Sequence, residues 1–135
     1  MTGNSESSAA IAQLCAKVLD DSKLEDIKIF DVVGALQLTD YFVVATGMNP
    51  RHLKAAADDL ERKLRDARVR LRGVEGYRDA RWILVDVSDV VVHLFVGESR
   101  EFYDLDNLWG DCPLLEWSSR GARAAASGGP KAEGR

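Results

Sequence analysis

The chain has 135 residues, of which 46% are hydrophobic and 30% charged, and its formal net charge is −4. That is material for one compact core and too little for two domains of ordinary size, while three tryptophans and repeated valine, leucine and isoleucine runs exclude global disorder. From Ser118 onward Arg120, Arg123, Lys131 and Arg135 face Glu133 alone, so this tail is +3 and the remainder −7, a sign that excludes a broad nucleic-acid groove and favours basic partners.

Residues 1–8 read as a flexible start. Ser7 or Ser8 is then placed to cap a helix in which Ile11, Leu14, Cys15, Val18 and Leu19 recur at i, i+3, i+4, i+7 and i+8. Ile27 and Ile29 alternate with charged neighbours across Asp26 to Val32, a strand pattern. Tyr41 to Thr46 is an unbroken apolar run ended by Gly47, the mark of a strand buried on both faces. Asn49 followed by Pro50 starts a second helix, because asparagine caps free amides and proline suits the first helical position. Its apolar stripe is Leu53, Ala57, Leu60, Leu64 and Ala67, with i, i+4 pairs Asp58 to Arg62 and Glu61 to Arg65 outside it.

A loop containing Gly73 and Gly76 follows, with room for a short strand near Val69 to Leu71. Trp82 to Val87 and Val90 to Val96 read as a hairpin turning at Ser88 and Asp89. That register pairs Leu84 with His93 and Trp82 with Phe95 on one mixed, partly open face. Ile83, Val85, Val92 and Leu94 share the other, which is aliphatic and suited to packing on a helix. Glu98 to Leu105 reads as a short helix or turn, Asp106 to Gly110 as a closing turn anchored by Trp109, and 118–135 as a mobile basic tail rich in alanine and glycine. The result is an α/β domain over residues 9–117, a mixed β-sheet flanked by helices.

No apolar stretch approaches the roughly 20 residues that span a bilayer, and the N-terminus lacks a basic and then apolar leader, so a cytoplasmic protein is expected. Cys15 and Cys112 lie far apart without CxxC spacing, which gives reduced thiols rather than a disulfide framework or zinc site.

Catalytic motifs are weak. Asp86 and Asp89 resemble paired metal-binding carboxylates, yet aspartate is common where strands meet turns. His52 and His93 have no HExxH spacing. Thr46 to Pro50 joins a buried strand to a helix, a common phosphate position, without the glycine and lysine content of a P-loop. Ser99 has no nucleophile-elbow sequence around it. Trp82 beside Arg81 is a candidate interface anchor as well as a core residue, and Tyr103 and Trp109 share that ambiguity.

The segments Asp40 to Gly47, Arg51-His52, Gly73 to Gly76, Trp82 to Asp86, Asp89 to Phe95, Glu98 to Leu105 and Leu108-Trp109 together resemble the ribosomal silencing factor, or Iojap, family in order and spacing. The match covers about Ala9 to Asp111. Ser88 departs from it, standing where the family usually has glycine in an Asp-x-Gly-Asp turn; the tail after Ser118 is also outside the pattern. The resemblance implies a nucleotidyltransferase-like fold without the catalytic motif, no enzyme activity, no cofactor and no metal. It further implies binding to the large ribosomal subunit through its ribosomal protein numbered fourteen, steric blocking of small-subunit association when nutrients are scarce, and a homodimer when free. Trp82 resembles the family tryptophan at that contact. Charge complementarity adds Glu75, Asp86 and Asp89, the hairpin face adds His93, and Arg100 and Tyr103 complete the expected partner surface. The alternatives are a metal-dependent nucleotidyltransferase-like enzyme using Asp86 and Asp89, and an RNA-binding module using the basic tail.

Overall fold

The computed structural model describes residues 4–34, 39–97 and 108–117. In chain order these form α1 (Asn4–Asp21), β1 (Glu25–Asp31), β2 (Tyr41–Gly47), α2 (Pro50–Asp66), β3 (Gly73–Glu75), β4 (Trp82–Asp86) and β5 (Val90–Val96). The strands make one mixed sheet in the order β1-β2-β5-β4-β3. β2 and β5 run parallel, and every other neighbouring pair is antiparallel. Because two parallel neighbours cannot be joined by a tight turn, α2 and the β3–β4 hairpin form the crossover between them.

The helix α1 begins at Asn4, so residues 4–8 continue a helix where a flexible start was expected. Ser8 lies inside it, buried, with its hydroxyl 3.4 Å from Asp89 Oδ2, and is therefore a tie to the β4–β5 turn rather than a cap. Ala12, Cys15, Ala16 and Leu19 carry the fully buried stripe, with Ile11 and Leu14 packed at its margin. Asn49 caps α2 as expected, its Oδ1 accepting from the His52 amide at 2.8 Å. Ala56 joins the buried stripe of α2, while Ala67, expected in it, is the exposed C-cap. Glu61 pairs with Arg65 at 3.8 Å, but Arg62 pairs with Asp59 at 2.7 Å, leaving Asp58 to accept from the Tyr77 hydroxyl.

Both helices stop in the same way. The amides of Lys23 and Leu24 return to the carbonyls of Asp20 and Leu19, and those of Arg68 and Val69 to Arg65 and Leu64. This is the Schellman pattern, with Lys23 (φ 71°) and Arg68 (φ 62°) in the left-handed position that glycine usually takes. Val69 is drawn back to the helix end by this motif. The additional short strand, β3, consequently forms at Gly73–Glu75, not near Val69 to Leu71, and pairs Val74 with Val85.

The hairpin register is the expected one, with Trp82 opposite Phe95 and Leu84 opposite His93. Ile83, Val85, Val92 and Leu94 are buried together with the inner residues of α1 and α2. A second, smaller cluster occupies the other face, where Phe30, Val32, Val44 and Phe95 are covered by Phe42, Trp82, Trp109 and Cys112. β2, expected to be buried on both faces, is so at Val43, Val44 and Ala45, with Phe42 and Thr46 half-buried. At the β1 edge the chain returns: the Asp31 amide donates to Pro113 O at 2.8 Å, the Leu115 amide to Ile29 O at 2.9 Å, and Trp117 Nε1 to Ile27 O at 3.3 Å. That added segment satisfies backbone groups an edge strand would otherwise present to other chains.

Candidate functional site

Alternation along the strands decides which side chains share the face turned away from α1 and α2. From β5 outward these are Phe95 and Trp82, His93 and Leu84, then Val91 and Asp86, with Glu75 of β3 beyond Leu84. The parallel neighbour β2 adds Phe42 beside Val91 and Val44 beside His93. Sequence reasoning singled out Trp82, His93, Asp86 and Glu75 here but not Leu84 and Phe42, whose only signal was their place in the alternation.

Trp82 is half-buried at the start of β4. Its ring stacks on Phe95 at 5.2 Å between centroids and 26° between planes, and its Nε1–H donates to His93 Nδ1 at 3.1 Å. That bond fixes the histidine tautomer: with Nδ1 accepting, the neutral ring carries its proton on Nε2. His93 is only 6% exposed, and desolvation pushes its pKa down from 6.5 to about 4. Among the described residues its Nε2 has no hydrogen-bond partner, nor does the buried Trp109 Nε1. The Phe42 ring sets its edge between them, 4.9 Å from His93 and 5.4 Å from Trp109. An aromatic panel is thus built from three strands and the 108–112 turn, with Trp82 at its accessible margin.

The backbone below Trp82 is equally constrained. Gly76 has φ 81°, and a Cβ there would lie 2.1 Å from the Trp82 carbonyl oxygen. Only glycine lets the 76–80 loop close so tightly on the start of β4. Ala80 N–H closes the loop on Gly76 O at 2.8 Å, and Tyr77 secures it to α2 through Asp58.

The expected acidic residues separate. Glu75 is exposed and Asp86 half-buried on the same face as Trp82. Asp86 Oδ1 accepts from the Ser88 amide at 2.9 Å, as a turn aspartate does. Asp89 turns its carboxylate to Ser8 of α1, and its carbonyl accepts from the amides of Asp40 and Tyr41 and from Thr39 Oγ1. Asp89 is exposed at the turn end on the α1 side, whereas Asp86 shares the face of Trp82. His93, 6% exposed, lies beneath Trp82 and accepts its indole N–H. Arg100 and Tyr103, with the turn expected over Glu98 to Leu105, lie outside the described residues. Among the described residues no three histidine, cysteine or carboxylate side chains converge as a metal site.

The family model described as ribosomal silencing factor during starvation matches residues 5–134. The chain belongs to the ribosomal silencing factor (Iojap) family. The silencing factor RsfS of Halalkalibacterium halodurans is 34% identical over 110 residues, covering 82% of this chain and 94% of that one. The mouse mitochondrial assembly of ribosomal large subunit protein 1 is 31% identical over 99 residues, 71% of this chain and 43% of its own length. Among solved structures, a Chromobacterium violaceum protein superposes with a TM-score of 0.74 at 38% identity, covering 76% of this chain and 86% of that one. This silencing-factor chain keeps the mixed α/β sheet of its structural relatives. Within it, Ser88 holds φ 74°, the left-handed angle for which the family's glycine is suited, without loss of the hairpin.

Proposed function

We propose that this silencing factor binds the large ribosomal subunit through its ribosomal protein numbered fourteen and sterically blocks the small subunit from joining, lowering translation when nutrients are limiting. The family match over residues 5–134 carries this reading. The name of the mouse relative, which refers to assembly of the ribosomal large subunit, favours that subunit over the small one. The contact surface is the face around Trp82, turned away from α1 and α2: an aromatic anchor on a rigid sheet, with Leu84 beside it and Glu75 and Asp86 to meet basic groups. Arg100 and Tyr103 belong to its rim in this proposal. An acidic body, −7 without the tail, steers the molecule to a basic ribosomal protein. No covalent step is involved, the protein acts in the cytoplasm, and free molecules pair as homodimers.

The test is sedimentation with separated subunits. Co-sedimentation with large subunits only is expected, and Trp82→Ala should weaken it by about 30-fold, or about 2 kcal/mol, the usual effect of truncating a central anchor. Because alanine also strands His93 Nδ1, Trp82→Phe and a melting curve separate loss of contact from loss of fold. Preference for the small subunit, or subunits that associate equally well at saturating protein, would overturn the proposal.

A further inference from the structure

A cleft of about 570 Å³ opens at the other side of the same sheet end, lined by Lys23, Glu25, Thr46, Gly47, Met48, Asn49, Pro50, Arg81, Val96 and Gly97. It sits at the carboxyl ends of β2 and β5, the parallel pair, where open α/β sheets bind small ligands. The volume is that of a small-molecule site. Nothing in the silencing reading uses it.

Its charges are out of keeping with the rest of the molecule. In a body of net charge −7, Lys23 and Arg81 come from distant parts of the chain to one opening, and neither forms an ion pair with a described residue. Lys23 is held there by the Schellman turn ending α1, and that turn is secured in turn: His52 Nε2–H donates to Ser22 O at 2.8 Å. Arg81 is fixed at its backbone, whose carbonyl accepts from the Val96 amide at 3.1 Å. Two cations on anchored backbone, without an ion pair among the described residues, are suited to one anionic group.

Most of the amides around the α2 N-terminus are already engaged. The Met48 amide already donates to His52 Nδ1 at 3.0 Å, the His52 amide to Asn49 Oδ1, and the Leu53 amide to Asn49 O. The charged groups that remain for an anion are side chains, Lys23 and Arg81. A bare phosphate would leave most of the cleft unfilled. Met48, 80% exposed, together with Pro50 and Val96 offers apolar walls for a planar group, and the Glu25 carboxylate accepts from hydroxyl or amino donors.

We infer that this cleft binds a nucleoside phosphate, with Lys23 and Arg81 on the phosphate and the base against Met48, Pro50 and Val96. The inference stands apart from the ribosome reading; either can fail alone. The test is calorimetric titration of the full chain with AMP, GMP, adenosine and inorganic phosphate at physiological salt. AMP or GMP should bind at a single saturable site, with adenosine and inorganic phosphate each at least about tenfold weaker, and Arg81→Gln and Lys23→Gln should each weaken the nucleotide by about tenfold or more. Both side chains are exposed, so the variants keep the wild-type melting temperature. No saturable heat at millimolar nucleotide, or affinity unchanged in both variants, overturns the inference. So does a short ribo-oligonucleotide that binds through Lys23 and Arg81 far more tightly than either mononucleotide, which would make the cleft an RNA contact.

Discussion

The indole of Trp82 and the imidazole of His93 are joined by one hydrogen bond of 3.1 Å, and the acceptor has almost no exposure of its own. A partner that touches the tryptophan therefore feels the protonation state of a ring it cannot reach. Protonation at Nδ1 would replace the acceptor with a donor aimed at another donor.

The first prediction follows from that burial. The His93 pKa is about 4 in the folded protein against 6.5 in its ordinary state, so below pH 6.5 the unfolded chain takes up a proton that the folded one refuses. Stability is full above pH 6.5 and is lost as pH falls toward 4, by roughly 2–3 kcal/mol from this residue. Urea denaturation of wild type and His93→Gln across pH 4.5–7.5 should show a shallower acid slope in the variant. Identical slopes would mean that the ring is not held neutral by burial.

Gly76→Ala is expected to cost about 2 kcal/mol or more, because the new methyl group meets the Trp82 carbonyl and the backbone angle is left-handed. Since the obstructed atom belongs to Trp82, binding to large subunits should fall as well. Gly73→Ala is the control: nothing lies within 4 Å of its Cβ position, and thermal melting should change little.

Ser88→Gly should stabilise the protein by about 0.5–1 kcal/mol. Relief of the left-handed serine is worth about 1–2 kcal/mol, and the greater freedom of glycine in the unfolded chain offsets part of it. The Asp86–Ser88 bond uses the backbone amide and survives the change. A lower urea midpoint in the variant would contradict this account.

The two cysteines should differ in reactivity. Burial raises the Cys15 thiol to about 12 among the core residues of α1, whereas Cys112 is half-buried in the 108–112 turn. Under native conditions iodoacetamide should modify Cys112 faster by at least about tenfold, measured by peptide mass spectrometry. Equal rates would show that α1 opens readily.

Period was the most legible feature of the sequence. The stripe of α2, the hairpin register and the two faces of β4 and β5 follow from spacing alone, because a one-residue slip would turn Ile83 and Leu94 outward. Boundaries were harder. Ser8 has the chemistry of a cap and is used for a long-range bond, and Val69 has the chemistry of a strand and is used to end a helix. For the candidate face, Trp82 was visible as an interface residue type, but His93 packs on Phe42, itself packed on Trp109, and both come from distant segments. Asp89 shows the same limit: its charge was legible, and its long-range contact with Ser8 of α1 was not. The cleft was foreshadowed by Thr46 to Pro50, yet its cations arrive from Lys23 and Arg81, which no local motif connects.

The pairing of residues 113–115 with β1 has a bearing on synthesis. β1 is made early and its outer backbone groups are closed late, by residues that follow every described strand. While a nascent copy is still threaded through the ribosome, that border of its sheet stays open to neighbouring chains. Newborn molecules on crowded polysomes thus pass through a sticky interval that finished ones do not share.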